Sequence, residues 1–274
     1  MTATTPSYEE AAASLRARAR AVATTMRAQA GAGDTWMPEL SWRLEELAAH
    51  IVSVPAIYRR VVGDPAAFDV PESMAEFGQA ELEAVGTFDL HDLADLLEHN
   101  VDALIAALAE YADPIAFYTT NLTRAGVLGV ALNELSMHHR DMAVVTNEPF
   151  TMTARDIDIT MHGMMPASEI FCDYEVALRC PGTFHFGLRG GSDWTISVAD
   201  GFVSVQPERP KRADVRITGD PLAMVVMSFG RSNPVASVLR GKVMVTGRRP
   251  WKLWWLRRLF IEELSRNGRS GTQP

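Results

Sequence analysis

The chain has 274 residues, with 26 Lys and Arg against 34 Asp and Glu, so its formal net charge is −8. A negative balance argues against a nucleic-acid-binding protein, whose contact surface is usually basic. Apolar residues make up 47% of the chain, which is typical of globular proteins and excludes wholesale disorder. The length is sufficient for two domains.

The cysteines and the hydropathy pattern further limit the class of protein and its expected location. Cys172 and Cys180 form no Cys-x-x-Cys pair, so the sequence predicts neither a zinc ribbon nor a disulfide framework. The N-terminal residues lack the basic start and apolar run of a signal peptide, and no apolar run reaches the ~20 residues that cross a bilayer. We therefore expect a cytoplasmic protein without a membrane span.

The first part of the chain has helical periodicity. Long helices with modest connections predict an antiparallel bundle of four or five helices over residues 1–175. The helices are expected from Tyr8 to about Ala30, after Ser41 as N-cap, over residues 92–111, from about Thr123 to Val145, and over residues 153–165.

The period changes to two near residue 182. Phe184 and Phe186 alternate with polar or small residues, and Asp200-Gly201 is a two-residue hairpin signal. His185 is out of phase with the two phenylalanines, so we expect it to face away from the core. Strands, two helices, a strand and a final helix follow one another, which predicts an α+β domain over residues 176–266 and a disordered tail over 267–274.

Three side chains could form a metal site. Glu134 and His138 are four residues apart on one predicted helix, so they project from the same face. His50 lies at the edge of the apolar stripe of the second helix. If these helices pack together, the three form a site of two His and one carboxylate with an open position, as in catalytic zinc sites. Asp141 could then accept a hydrogen bond from a liganding histidine.

Other interpretations of these residues remain open. Glu134 and His138 could be a simple side-chain pair on a helix surface. Two His and one carboxylate also suit Fe(II) or another divalent metal. The remaining histidines offer less: His91 is expected in solvent, His99 off its apolar stripe, His139 in another direction from His138, and His162 without a partner. Neither a Ser-His-Asp site nor a phosphate loop is indicated, and the cysteines are expected to be small apolar residues.

Two sequence blocks resemble one family. SWRLEELAAHIV (residues 41–52) and NELSMHHRDMA (residues 133–143) resemble the two conserved blocks of the mycothiol-dependent maleylpyruvate isomerase family, which has a DinB-like helical bundle. Residues 182–266 follow the strand and helix order of the sterol carrier protein type 2-like domain that many members carry. His139-Arg140 and the segment MSF before Gly230-Arg231 depart from the family pattern.

The resemblance implies a site and a chemistry. Zinc would be held by His50, Glu134 and His138, with Asp141 behind them. Mycothiol, a low-molecular-weight thiol of actinobacteria, would be the cosubstrate, and the partner a small-molecule electrophile. The activity would be that of an isomerase or a thiol S-transferase. Arg231 could hold a carboxylate as a catalytic or cofactor-binding residue, or it could be a solvated turn residue. A monomer and a homodimer are equally compatible with the sequence.

A second class of function also remains open. Sterol carrier-like folds accept lipids, and Trp251, Trp254 and Trp255 alternate with basic residues near the C-terminus. They could cover a lipid cavity, touch a membrane surface, or pack as core. The chain could then be a carrier of lipids or small hydrophobes, with a structural metal in the bundle.

Overall fold

The computed structural model describes residues 5–37, 40–64 and 83–259. The expected tail over 267–274 lies outside these residues. The chain forms two compact units: Ser7–Thr151, and the described residues from Met152 onward. The prediction of a helical first part and an α+β second part is confirmed.

The first unit is a helical bundle. Helices α1 and α2 each pack against both α3 and α4, so the four surround a common apolar core. Two short antiparallel hairpins join helices of this unit. The elements are α1 (Tyr8–Ala28), β1 (Trp36–Met37), β2 (Trp42–Arg43), α2 (Leu44–Gly63), α3 (Leu90–Ala109), β3 (Ile115–Phe117), β4 (Thr120–Leu122) and α4 (Arg124–Thr146).

The start of α2 differs from the prediction. Ser41 is not its N-cap: its backbone is left-handed (φ +57°), and Trp42–Arg43 pairs as a strand with Trp36–Met37. The helix therefore begins at Leu44, and the Arg43 amide donates to the Glu46 carboxylate at 2.6 Å. The hairpin takes the residues that the sequence pattern assigned to the first helical turn.

Helix α4 is buried on nearly all sides, which is unusual for a helix that carries charged groups. The Thr123 side chain caps its start by accepting from the Gly126 amide, and left-handed Asn147 ends it. Apolar residues occupy most of its circumference. Polar groups on this helix are therefore withdrawn from water, which is costly unless they are paired or bound to a ligand.

The second unit is built on a five-stranded sheet of order β7-β6-β5-β8-β9. Strands β5 and β8 are parallel, and the other neighbours are antiparallel. Asp200 and Gly201 both have positive φ, as the predicted two-residue hairpin requires. The strands are β5 (Gly182–Leu188), β6 (Asp193–Ala199), β7 (Phe202–Gln206), β8 (Val215–Gly219) and β9 (Val243–Thr246).

One face of this sheet is covered by helices. The long crossover between β8 and β9 contains two of them, and buried Phe184, Trp194 and Ile217 lie on one sheet face. The helices are α5 (Ala154–Ala167), α6 (Tyr174–Arg179), α7 (Pro221–Ser228), α8 (Pro234–Leu239) and α9 (Leu253–Leu259), with 3₁₀ turns at Ser168–Phe171 and Pro250–Lys252.

Helix α5 forms where the sequence predicts a helix, but it lies in the second unit and not in the bundle. Asp158 on α5 accepts a hydrogen bond from the Ser192 amide at 3.1 Å. The His162 ring lies edge-on to Trp194, with centroids 4.9 Å apart. These contacts, both with residues of the second unit, explain why α5 belongs to that unit and not to the bundle.

The expected direction of His185 is confirmed, although the residue is buried. It does point to the sheet face opposite Phe184, but it is only 2% exposed. The segment after β7 covers that face: the Thr195 hydroxyl donates to the Glu208 carbonyl, and Arg216 donates to the Pro210 carbonyl. Both are register neighbours of His185, so strand alternation predicted its direction but could not predict the covering loop.

Within the described ranges, every helix is too short or too polar to cross a bilayer.

A buried carboxylate ties the last part of the second unit to the sheet. Asp214, just before β8, lies 3.3 Å from both the Lys252 ammonium and the Arg248 guanidinium. Burial alone would raise the pKa of Asp214, but these two cations outweigh it and hold the pKa below its usual value. A depressed folded pKa contributes stability above the unfolded pKa and loses it as the pH falls.

We predict that Asp214→Asn lowers the free energy of unfolding by about 1–3 kcal/mol at neutral pH, because two charge-assisted contacts are lost. The deficit should vanish as the pH falls through the folded pKa of Asp214, where the native carboxyl is also neutral. Denaturant unfolding at neutral and acidic pH measures this. A deficit that is independent of pH would contradict the electrostatic explanation.

Candidate metal centre

Two helices of the first unit supply the three candidate ligands. His50 lies on α2, between the buried residues Leu47 and Ile51, while Glu134 and His138 lie one turn apart on α4. Because α2 and α4 pack together, the imidazole of His50 faces that of His138. Their ring centroids are 5.1 Å apart, with the planes nearly perpendicular.

The structure brings the three donor groups within reach of one ion. One ligand atom from each of His50, Glu134 and His138 lies within 4.8 Å of the other two. His138 Nε2 and Glu134 Oε2 are 3.6 Å apart. In the part of the chain that the structure describes, this is the one such group of three or more His, Cys, Asp or Glu side chains.

The spacing fits a small divalent cation. Two ligands bonded to tetrahedral zinc at about 2.1 Å lie about 3.4 Å from each other. The Glu134–His138 separation of 3.6 Å is near that value, and the separations from His50 stay within 4.8 Å. Two imidazole nitrogens and one carboxylate oxygen form a donor set that zinc and ferrous iron both accept.

Asp141 supports His138 from behind. Its Oδ2 atom lies 3.2 Å from His138 Nδ1, and its side chain is only 2% exposed. Since a carboxylate only accepts, His138 donates from Nδ1, which directs the Nε2 lone pair towards Glu134. The second carboxylate oxygen accepts from Arg140 Nη1 at 3.2 Å. Arg140, a departure from the family pattern, thus holds the carboxylate that orients the candidate ligand.

The pKa values of the two histidines are shifted in opposite directions. Burial, assisted by the neighbouring His138, lowers the pKa of His50 to about 4, so its imidazole is neutral at physiological pH. Burial also acts to lower the pKa of His138, but the hydrogen bonds to Asp141 and Glu134 outweigh it and the pKa is raised. The imidazole of His138 therefore keeps its second proton to a higher pH than a free histidine does, whereas that of His50 loses it at a lower pH.

Aromatic side chains surround the three donors. The Trp42 ring centroid lies 5.1 Å from that of His50, which fixes the imidazole from the β2 side. Tyr58, two turns beyond His50 on α2, packs edge-on against Phe117 at 5.2 Å. Burial, and after it Glu134 and Tyr118, raise the pKa of Tyr58 well above its usual value. The phenol therefore keeps its proton at neutral pH.

Sequence reasoning did not assign a role to Trp42, Tyr58 or Arg140. Trp42 opens one of the two blocks that carry the resemblance, yet nothing in its spacing indicates that it contacts His50. Tyr58 follows His50 by eight residues and shares its helix face, so helical periodicity could have found it. The contact of Arg140 with Asp141 depends on side-chain conformation, which no sequence pattern reveals.

The other predicted candidates lie apart from this group. His91 and His99 are exposed, as expected, and His139 contacts Arg18 and Thr25 instead. Arg18 can only donate, so His139 accepts at Nδ1; burial and Arg18 lower its pKa to about 4. Arg231 lies in the second unit just after α7, where its Nη1 donates to the Phe229 carbonyl at 2.8 Å.

Family comparisons agree with the two units. Residues 14–143 match the mycothiol maleylpyruvate isomerase N-terminal domain, and residues 175–248 match the SCP-2 sterol transfer family. The two matches follow one another in the order of the two units, and the resemblance seen in the two sequence blocks is confirmed. The three donors all lie within the first match, and Arg231 lies within the second.

Two solved structures share the fold. The mycothiol-dependent maleylpyruvate isomerase is 15% identical; the match covers 88% of this chain and 93% of that one, with a TM-score of 0.51. A histidine-to-alanine mutant of that enzyme gives the same identity and coverage, with a TM-score of 0.52. At this identity the likeness shows the fold alone. A search of curated proteins finds no significant match.

The raised pKa of His138 predicts pH-dependent metal binding. Below the raised pKa of His138, a cation must displace one proton, so its apparent affinity should fall about tenfold per pH unit. His50 adds no further dependence until its pKa of about 4. Zinc titrations against a competing chelator at several pH values measure the slope. An affinity that stays constant below the pKa of His138 would contradict this protonation scheme.

Proposed function

We propose that this protein is a zinc-dependent enzyme that uses mycothiol to modify a small electrophile. The observation that carries the proposal is the convergence of His50, Glu134 and His138 within 4.8 Å, inside the region that matches the mycothiol maleylpyruvate isomerase N-terminal domain. The reaction that we propose is an isomerisation, as the name of the matched family indicates. Thiol transfer is the related alternative.

The donor set leaves room for a further ligand. Three protein ligands leave one position of a tetrahedral site open, and the Glu134 side chain is 29% exposed, so a small molecule can reach it. Zinc bound here would supply a position at which a thiol loses its proton and becomes a nucleophile at neutral pH.

The surrounding residues prepare the site for that chemistry. His50 is neutral and needs no deprotonation before it donates its lone pair. Asp141 fixes the tautomer and orientation of His138, and Arg140 fixes Asp141. The protonated phenol of Tyr58, close to Glu134, offers a hydrogen-bond donor to a ligand oxygen.

The same nucleophile supports both reactions. Addition of the thiol sulfur to an electrophilic double bond leaves a single bond that can rotate. Loss of the thiol after rotation gives cis–trans isomerisation and regenerates the thiol. If the thiol is not expelled, or if it displaces a leaving group, the result is thiol transfer. The identity of the electrophile determines which outcome follows.

Replacement of one ligand tests the metal directly. His138→Ala should reduce bound zinc from about one ion per chain to a small fraction of that, and mycothiol-dependent turnover by at least about 100-fold. The matched control is His99→Ala, since His99 is exposed on α3 of the same unit. Elemental analysis, a mycothiol-coupled assay and thermal unfolding of both variants provide the measurements.

Two outcomes would contradict the proposal. A His138→Ala protein that folds and retains full turnover would exclude the ligand role. If freshly prepared protein contained ferrous iron, and zinc did not restore turnover after the iron was removed, the catalytic metal would be iron and not zinc.

For Arg231 we propose a role in binding a substrate carboxylate. Its planar guanidinium can form a bidentate pair, which the point charge of lysine cannot replace. Arg231→Lys should therefore raise the KM for a carboxylate-bearing electrophile about tenfold or more and leave metal content unchanged. An electrophile without a carboxylate is the internal control. Equal KM changes for both electrophiles would show that Arg231 acts only on the fold.

A second candidate function rests on the other family match. Residues 175–248 match the SCP-2 sterol transfer family, which favours binding of a lipid or small hydrophobe by the second unit. Co-purified lipid, and transfer that is unaffected by His138→Ala, would favour this function. Loss of turnover in His138→Ala, with no lipid bound, favours the enzyme.

A further inference from the structure

Positive charge is concentrated in one stretch of an otherwise acidic chain. Residues 209–258 contain 12 Lys and Arg but only two Asp and Glu, while the whole chain has a formal net charge of −8. Such asymmetry is typical of a segment that contacts an anionic surface. The metal centre in the first unit does not use these residues.

Three side chains of this stretch share an exposed face. Trp251, Trp254 and Arg258 follow the spacing i, i+3 and i+7 at the 3₁₀ turn and α9; we call them the Trp–Arg face. Trp251 is 66% exposed and Trp254 is 62% exposed, although both are large apolar residues. The Arg258 guanidinium lies 5.1 Å from the ring centroid of Trp254.

The opposite side of α9 anchors it within the second unit. Leu256 and Leu259 are buried, and the Asp173 amide donates to the Leu259 carbonyl at 2.8 Å. The preceding turn is also held, because Lys252 contacts the Pro181 carbonyl and the buried carboxylate of Asp214. The Trp–Arg face is therefore presented outwards by a fixed element.

Further cations flank this face. Arg248 and Arg249, immediately before the turn, lie 3.3 and 3.9 Å from the Asp214 carboxylate, yet their side chains remain 60% and 52% exposed. No acidic residue lies between positions 221 and 258. An incoming anionic surface therefore meets positive charge on the turn as well as on the helix.

We propose that the Trp–Arg face binds the surface of anionic phospholipid bilayers. Indole rings favour the headgroup level of a bilayer, where an apolar body and a polar N–H are both accommodated. Arginine guanidinium groups pair with lipid phosphates while their aliphatic stems cover apolar surface. The two kinds of side chain lie side by side here.

The geometry favours a lipid surface over a nucleic acid. Single-stranded nucleic acids stack their bases on free aromatic faces. Here the Arg258 guanidinium lies over the rings of Trp254 and Trp255, at 5.1 and 5.8 Å. The guanidinium therefore already covers one face of each ring, and a base that stacks on that face would have to displace it.

Vesicle flotation of the full-length protein tests the proposal. The protein should float with vesicles of phosphatidylcholine and phosphatidylglycerol in a roughly 2:1 ratio, and not with phosphatidylcholine alone. Raising the salt concentration from about 0.1 M to about 1 M should release the protein from the vesicles, because the Debye screening length falls to about 3 Å. Trp fluorescence should shift to the blue on binding.

Variants distinguish binding through the Trp–Arg face from non-specific adsorption to vesicles. The double change Trp251→Ala and Trp254→Ala should weaken vesicle binding at least about tenfold, and Arg258→Ala about fivefold, while thermal unfolding stays close to that of the native protein. Phe202→Ala is the matched control, since Phe202 is 73% exposed at another site of the same unit.

Several results would overturn the inference. Equal binding to neutral and anionic vesicles, or an equal loss in Phe202→Ala, would remove the role of the Trp–Arg face. The proposal would also fail if the protein bound an oligonucleotide and no vesicles. It would fail equally if the protein bound no vesicles and formed a dimer that the Trp251→Ala, Trp254→Ala variant dissociates. None of these outcomes affects the metal proposal, because the vesicle experiment does not depend on turnover.

Discussion

The packing of α2 against α4 is the constraint on which the rest of this account depends. It brings two imidazoles and a carboxylate within 4.8 Å of each other on helices whose neighbouring side chains are apolar. Withdrawal of such groups from water is unfavourable unless each finds a partner. Asp141 and Arg140 satisfy one side of His138, and the remaining donors face one another. A shared cation would satisfy all of them, and this is why we interpret the cluster as a metal centre.

The second unit has a different physical character. Its sheet encloses an apolar core around Trp194 and Phe184, and its last described segment gathers cations around exposed tryptophans. The first unit holds its reactive groups inside, on rigid helices, whereas the second presents charged and aromatic groups outward. We infer that the bundle contributes the thiol chemistry, and that the α+β unit contributes surface or lipid recognition in addition to the substrate contact proposed for Arg231.

Much of the fold could be predicted from the sequence because periodicity is local. Helical spacing located α3 and α4 to within a few residues, and Asp200-Gly201 located a hairpin. Features that depend on distant contacts were missed. Ser41 was expected to be the N-cap of α2, but strand pairing takes the residues that follow it. Alternation gave the direction of His185 correctly, but it could not predict the loop after β7 that buries this residue. The spacing of Glu134 and His138 indicated a shared face, and the resemblance, with an assumed packing of the second helix against the fourth, added His50. Periodicity could not establish that packing, which depends on contacts between distant parts of the chain. Tyr58 was missed, although it follows His50 by eight residues on the same helix.

The most direct test of the central claim is anomalous scattering at the zinc edge from crystals of zinc-loaded protein. We predict one strong peak in the bundle, about 2.0–2.2 Å from a ring nitrogen of His50, Nε2 of His138 and a carboxylate oxygen of Glu134. A peak at other residues, or no peak among these three in zinc-replete crystals, would contradict it.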